Sequence, residues 1–520
     1  MSVIVFNKKK NIKRLEEVPE EIILSNRLFV PEHMVTGKIL DEFTYRLGDP
    51  CKDCDCMEPL ECPAANMQEL QMWREFKAGD YYGFGRGDIG KLKRLFDWDK
   101  VVDKRARPKM KYPLKFVGKL RPKQEKLAKR WFKKKYGTFK APPRFGKTVM
   151  AAYFTARLGY QTLILVDESH LATQFYQTFM NLKKDDEGNL IKFTNAPQLE
   201  KKYDTTIVGI AQNIKDIEKR WPVTIMTYQK FLRHMGKLKK AKNYWGYVVV
   251  DECHGASAPK WSKILTILNA KIKSGCSATP DREDGLHVIA ENTLGPVTAK
   301  GKTTQLPVRV KFINTNHVVK SFSLWTTFER RLAEDEERNE LIVENIEADA
   351  DAGRHILVTT KLKKHVKKIA RMLRDRGYKV AEIDGSVRGQ KRTDIYEEFE
   401  NNKDIQIIVA IRRITEKGLD LKHLDCIHLI LPNLQAPKIE QETARTRTPF
   451  EEWRPFGKND RPGKTKPNAL VRVYIDGKGE RIGYSIKAKM SKAFKNLGFI
   501  FDKDKFARSK KVRKKKTAWG

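Results

Sequence analysis

The sequence predicts an α/β chain: two tandem domains, each a parallel sheet wound by helices, behind a smaller N-terminal domain. Three observations predict it. Several short runs, such as "YVVVDE" (247–252), are apolar throughout, as strands covered on both faces should be. Longer segments of helical pattern separate them, which parallel connections require. The alternation also falls into two sets, on either side of "TLGPVTAKGKTTQLPVRV", a Gly-, Thr- and Pro-rich segment that reads as a linker. The expected boundaries are 1–110 for the N-terminal domain, 111–302 and 303–490 for the two sheet domains, and 491–520 for a basic tail.

Residues 1–110 are irregular in pattern and suggest no fold. The opening "MSVIVFNKKKNIKRLEEVPE" has only a five-residue apolar run, too short for a signal-peptide core. No stretch approaches the roughly 20 apolar residues that span a bilayer. An intracellular protein is expected, so the seven cysteines do not read as a disulfide framework. Four of them, Cys51, Cys54, Cys56 and Cys62, fall within "CKDCDCMEPLEC". Four thiolates complete a tetrahedral zinc set, though an iron–sulfur cluster takes the same ligands. The acids around them disfavour contact with a polyanion, so a structural staple is the expected role. "GDYYGFGRGDIGK" reads as a turn packed on its own domain, with Tyr81, Tyr82 and Phe84 packing rather than stacking on bases.

The strand candidates then follow in order: "TLILVD" (162–167), "VTIMTY" (223–228), "YVVVDE", "HILVTT" (355–360), "KVAEID" (379–384), "IQIIVAI" (405–411) and "IHLIL" (427–431). Helices are expected at "TVMAAYFTARL" (148–158) and "TDIYEEFEN" (393–401). Cys253, Cys276 and Cys426 lie on or beside apolar strands and read as buried thiols. The chain ends in "RSKKVRKKKTAWG", too poor in apolar residues to pack.

Charge narrows the function. Lys and Arg number 104 against 65 Asp and Glu, a formal +39. That excess predicts a polyanionic partner, and nucleic acid is the commonest. A membrane surface fits less well, because no long basic amphipathic helix with an aromatic face is apparent.

"APPRFGKT" (141–148) carries the first chemistry. It fits G-x-x-x-x-G-K-[ST] except for Ala141 in place of the first Gly. In that spacing successive backbone N–H groups cradle phosphates, and Gly146 permits close approach. Lys147 meets the β- and γ-phosphates, and Thr148 ligates Mg²⁺. Arg144 and Phe145 are bulky, but the cradle uses backbone donors, so an altered loop curl is expected. A Mg·ATP site also needs a strand-end carboxylate. In "YVVVDECH", Asp251 can hold the metal shell and Glu252 can orient and deprotonate the attacking water. "CSATP" (276–280) then brings two hydroxyls, Ser277 and Thr279, to the end of another strand.

Jointly these segments resemble the superfamily 2 helicases. "LRPKQ" (120–124) resembles the adenine-recognition element, "APPRFGKT" motif I, "DECH" motif II and "SATP" motif III. "LVDESHLATQF" (165–175) and "TIMTYQ" (224–229) are similar to motifs Ia and Ib. "HILVTTK" resembles motif IV, "EKGLDLKHLD" (416–425) motif V and "QETARTRT" (441–448) motif VI. The order matches over about 120–448, and the phage UvsW-like group, which remodels forks and Holliday junctions, is the type most resembled.

The resemblance implies two RecA-like domains using ATP and Mg²⁺. Gln124 would read the base with Arg121 in support, and Arg144, Phe145, Gly146, Lys147, Thr148, Gly418 and Asp420 would line the nucleotide. Ser277 and Thr279 would couple the domains, and Ser169, Thr227 and Thr360 would touch the nucleic-acid backbone. Gln441 and an arginine finger, Arg445 or Arg447, would come from the second domain. Three departures stand out besides Ala141: Arg144 at a usual glycine, Ile411 where motif V has Ser or Thr, and Ala444 for the motif VI glycine, with the second arginine at 447. The expected activity is a DNA-dependent ATPase that translocates or unwinds branched DNA, acting as a monomer on it, in the cytoplasm or that of a host. RNA stays open as a partner. The rival readings are a double-strand translocase without unwinding and a clamp that does not hydrolyse ATP.

Overall fold

The structure is a computed structural model. It describes residues 21–46, 69–76, 80–142, 145–185, 188–280, 285–302, 306–315, 317, 325–387, 390–412, 421–432, 439, 442–443, 446–447, 449–461, 463–477 and 481–501. The chain forms two compact units, Met1–Thr303 and Thr304–Gly520.

The first unit opens with a sheet that the sequence did not suggest. Its strands run in the order Trp73–Phe76, Tyr81–Phe84, Leu28–Pro31, Ile22–Leu24 and Val101–Asp103. All pairs are antiparallel except the last. The strands are three or four residues long, too short for a period to stand out in sequence. Ile22, Leu24, Leu28, Val30 and Phe84 are nonetheless buried in alternation along them. The "turn" expected at 79–91 is thus a strand followed by the helix Ile89–Leu95, with Tyr81 and Phe84 in the core and Tyr82 edge-on to Trp73.

This sheet is joined to the rest of the unit through the same glycine-rich stretch. A Cβ on Gly87 would lie 1.6 Å from the carbonyl oxygen of Glu291, on the helix His287–Leu294. Buried Arg86 donates to the carbonyls of Ala270 (2.5 Å) and Lys271 (2.8 Å), and Asn292 donates to Asp88 at 2.7 Å. The pattern change near residue 110 therefore does not separate two compact bodies.

Behind it lies a seven-stranded, all-parallel sheet. In space its strands run Val208–Ile210, Val223–Thr227, Thr162–Val166, Tyr247–Asp251, Ile272–Ser277, Thr138–Lys140, Val297–Lys300. The four central ones are wholly buried; burial on both faces explains why three of them read as largely apolar runs, while Ile272–Ser277 buries Lys273 and Ser274 and does not. The second unit has its own seven-stranded parallel sheet: Val380–Ile383, Ile407–Ile411, Ile356–Thr360, Cys426–Leu429, Ala469–Ile475, Val308–Asn314, Ile500–Phe501. Numbered by chain order within each sheet, both follow 3-4-2-5-6-1-7. The two sheets share one winding, as tandem RecA-like domains do.

Two boundaries differ from expectation. The supposed linker contains the strand Val297–Lys300 and the start of Val308–Asn314. Its Val and Thr residues favour extended backbone despite the glycines. The break expected at 490 falls inside the helix Arg481–Asn496, and the sheet closes beyond it with Ile500–Phe501. The cysteines at 51–62 lie outside the described residues. The strands Thr44–Arg46 and Glu69–Gln71 pair antiparallel on either side of them.

Candidate nucleotide and nucleic-acid site

The phosphate loop begins where the strand Thr138–Lys140 ends. Ala141 N–H donates to the Ser277 carbonyl at 2.9 Å, so motif I starts tied to motif III. Phe145 is buried in the core beneath the loop, and a Cβ on Gly301 would meet its ring at 2.7 Å. The bulky residue at this position is therefore an anchor for the loop, not an obstruction. Gly146 has φ 92°, and a Cβ there would lie 2.5 Å from Gln124 Nε2. Glycine is required twice over, by conformation and by space. Lys147 and Thr148 then open the helix Lys147–Leu158, whose positive end faces the loop. Arg144 lies outside the described residues.

Gln124 and Arg121 sit at the start of the helix Pro122–Lys134. Both grip one carbonyl of the loop, Phe145 O: Gln124 Nε2 at 2.7 Å and Arg121 Nη2 at 2.5 Å. Gln124 Oε1 also accepts from Arg121 N–H at 2.8 Å. Both ends of the amide are thus engaged, and Gln124 is buried. In this arrangement the adenine-recognition element braces the phosphate loop.

The carboxylates come together as their spacing implied. Asp251 ends its strand, and Glu252, at φ 44°, breaks it and starts the turn Cys253–Ser257. Lys147 forms an ion pair with Glu252 Oε1. Glu252 Oε2 accepts from Ser277 at 3.2 Å, and His254 Nδ1 lies 3.1 Å from Ser277 Oγ. Thr279 N–H donates to that same Oγ at 3.1 Å. Burial acts to raise the Glu252 carboxyl, but Lys147 and then His254 outweigh it and hold it well below the usual range. Burial likewise opposes the Lys147 charge, and Glu252 and Asp251 outweigh it, so its pKa is raised. Asp251 is pushed up by burial, with Lys147 pulling the other way.

Two partners of Asp251 escaped the sequence reading. The Cys276 thiol donates to Asp251 Oδ1 at 3.1 Å, and Tyr228 OH donates to the Asp251 carbonyl at 2.9 Å. Both residues sit inside segments already singled out, "CSATP" and "TIMTYQ". Only the parallel pairing that puts Cys276 opposite Asp251 reveals the first contact.

The residues expected to touch nucleic acid divide. Ser169 is exposed at the first turn of the helix Ser169–Phe179, whereas Thr227, at the end of its strand, is buried. Thr360 is fully buried, with its hydroxyl 3.0 Å from His365 Nδ1. Of the three, only Ser169 is presented at the surface. In the second unit Arg447 stacks on Phe499, 5.0 Å from the ring centroid. Arg412, next to the aberrant Ile411, bonds the Leu431 carbonyl at 2.7 Å and faces Glu442 at 3.4 Å, linking motifs V and VI. Gly418, Asp420, Gln441 and Arg445 lie outside the described residues.

Among the described residues, one group of side chains has metal-ligand composition outside this site: Asp349, Cys426 and His428. Arg472 holds both oxygens of Asp349, so a cation is already present. No helix among the described residues is long and apolar enough to cross a membrane.

Residues 118–282 match the family model described as Type III restriction enzyme, res subunit, and residues 337–448 match the Helicase conserved C-terminal domain. The chain is similar to "Probable helicase D10" of Escherichia phage T5, 23% identical over 295 residues, 55% of this chain and 58% of that one. It is also similar to "DNA 3'-5' translocase XPB2" of Sulfurisphaera tokodaii, 24% identical over 235 residues, 45% and 47% of the two chains. The chain spans about half the length of these curated relatives. Among solved structures, that of T4 UvsW covers 89% of this chain and 94% of its own, at 15% identity and TM-score 0.32. With both domain models matched in order, on two sheets of one winding whose first carries motifs I to III in hydrogen-bonded contact, the chain belongs to the superfamily 2 helicases.

Proposed function

We propose that this protein is a DNA-dependent ATPase that remodels branched DNA, unwinding forks or migrating junctions. The observation that carries the reading is the connected set Lys147–Glu252–Ser277, which joins motifs I, II and III. A structural ion pair would not need a glycine held at φ 92° beside it or a hydroxyl from a third segment. The set suits Mg·ATP. Gly146 lets the loop backbone turn at φ 92° with no side chain over it, Lys147 supplies the cation, and Thr148 and Asp251 supply oxygen ligands of the hard kind that Mg²⁺ takes.

When bound, Mg²⁺ supplies charge neutralisation at the transferred phosphoryl group. Lys147 leaves Glu252 for the phosphates, and the freed carboxylate orients water and accepts its proton. Ser277, bonded to Glu252, is the residue that carries this change of state toward the segment Ser277–Pro280. Of the two candidate fingers, Arg447 stacks on Phe499, which supports Arg445 in that role. Hydrolysis that waits for an arginine from the second domain would couple turnover to domain movement, which is what a translocase needs.

Glu252→Gln should abolish turnover while leaving nucleotide binding intact, and duplex or junction DNA should raise wild-type turnover strongly. No turnover with any nucleic acid would leave only a clamp. The printed name of the Sulfurisphaera relative favours a second reading, a translocase without unwinding. Strand-displacement and four-way-junction substrates at one salt concentration separate the two, and matched RNA substrates decide the sugar. For the Cys51, Cys54, Cys56 and Cys62 set we propose structural zinc. Elemental analysis should find one zinc per chain and no iron.

A further inference from the structure

The net charge is not evenly spread. Between Lys104 and Lys140 there are sixteen Lys and Arg, opposed by Glu125 alone. The helix Pro122–Lys134 sorts that charge by face. Gln124, Leu127, Ala128 and Trp131 recur at i, i+3, i+4 and i+7, and all are buried. Lys126, Lys129, Arg130, Lys133 and Lys134 recur at i, i+3, i+4, i+7 and i+8, and all are exposed. They form one continuous basic stripe about 12 Å long.

Among the described residues no carboxylate pairs with any of these five. Another strongly basic helix, Lys363–Asp375, differs: Lys363 pairs with Asp384, Lys368 with Glu336, Arg371 with Asp375 and Arg374 with Glu382. Like charges at i, i+4 each cost a helix about 0.2–0.5 kcal/mol, and this stripe contains three such pairs. A folded chain gains nothing internally from keeping them. A polyanion would reverse the sign of each.

The position points to duplex. The helix packs against Val297–Lys300, the strand at one edge of its sheet, while Ser169 and Thr227 belong to elements toward the opposite edge. If, as the proposed function has it, a single strand is gripped near exposed Ser169, that strand would not also need a stripe at the far edge. We propose that the outer face of the helix Pro122–Lys134 is a second docking surface, for the phosphate backbone of a duplex arm. It reads no sequence, because five flexible cations on a smooth helix face contact phosphates and not base edges. The proposal concerns binding, and it stands whether or not ATP is turned over.

The test is a salt titration of full-length protein on a blunt 30-base-pair duplex, without nucleotide. The triple variant Lys126→Gln, Arg130→Gln, Lys133→Gln should lower the log–log salt slope by about 2–3, since each phosphate contact contributes about 0.9. A control triple, Lys201→Gln, Lys239→Gln, Lys240→Gln, removes the same charge from exposed positions elsewhere in the unit and should leave the slope nearly unchanged. The single variant Lys129→Gln should lower it by about 0.9. The helix triple should also melt no lower than the parent. An unchanged slope in that triple, or an equal loss in both triples, overturns the proposal.

Discussion

Asp251 owes its orientation to a cysteine. Its Oδ1 is held by the Cys276 thiol at 3.1 Å, which leaves Oδ2 for a metal shell. Partners of metal ligands commonly set affinity by 10–100-fold. Cys276→Ala should therefore raise the Mg²⁺ concentration for half-maximal ATPase about tenfold, while turnover at saturating Mg²⁺ changes little. Metal titration at fixed ATP reads this directly, and a fall in maximal rate with an unmoved midpoint would contradict it. Gly146 allows a second prediction. Gly146→Ala forces a side chain to φ 92° and into Gln124, so the loop must shift. ATP binding, followed by calorimetry, should be lost while the chain still folds. Both residues could be singled out from sequence, but their reasons could not. Glycine in "RFGKT" is expected on pattern, yet its clash is with a glutamine 22 positions away.

The element that most departs from its sequence reading is Gly85-Arg86-Gly87-Asp88. Composition suggests a loose turn, whereas these residues join the N-terminal sheet to the helix His287–Leu294. The glycines are needed for closeness, not flexibility. A Cβ at 1.6 Å from a backbone carbonyl cannot be accommodated by a rotamer change, because backbone on both sides must move. Gly87→Ala should destabilise the first unit by about 3 kcal/mol, the upper range for overpacking. Chemical unfolding with Trp fluorescence would measure it, and a loss under about 0.5 kcal/mol would show that the join yields easily. No local pattern could reveal this join, since its two sides are 200 residues apart in sequence.

At the scale of the whole molecule, the second unit carries an acid sensitivity the first does not share in the same form. His355 and His365 are buried, and burial first, then neighbouring cations, push each down to about 3. Both are neutral when folded and take up a proton on unfolding anywhere between that value and the ordinary 6.5. The unfolded state binds more protons in that window, so stability is full above it and falls as pH drops through it. Between pH 7 and 5 the loss should be about 2 kcal/mol per histidine. Amide exchange in the strand Ile356–Thr360 at the two pH values would measure it. His365→Gln should narrow the difference by one histidine's share, and an unchanged difference would refute the assignment. The same scale shows where sequence reading succeeds. Most of the central strands, the helix after the phosphate loop and the order of the motifs were legible, because strands buried on both faces are mostly apolar and phosphate chemistry demands fixed residue types at fixed spacing; Ile272–Ser277 and Ala469–Ile475, which bury Lys273 and Arg472, did not stand out as apolar runs. What only the tertiary structure decided was set by contacts between distant segments: the N-terminal sheet of three- and four-residue strands, the thiol on Asp251, the buried hydroxyl of Thr360, and the shared 3-4-2-5-6-1-7 winding. Local pattern records which face of an element is covered. It does not record what covers it, and that depends on the path of the whole chain.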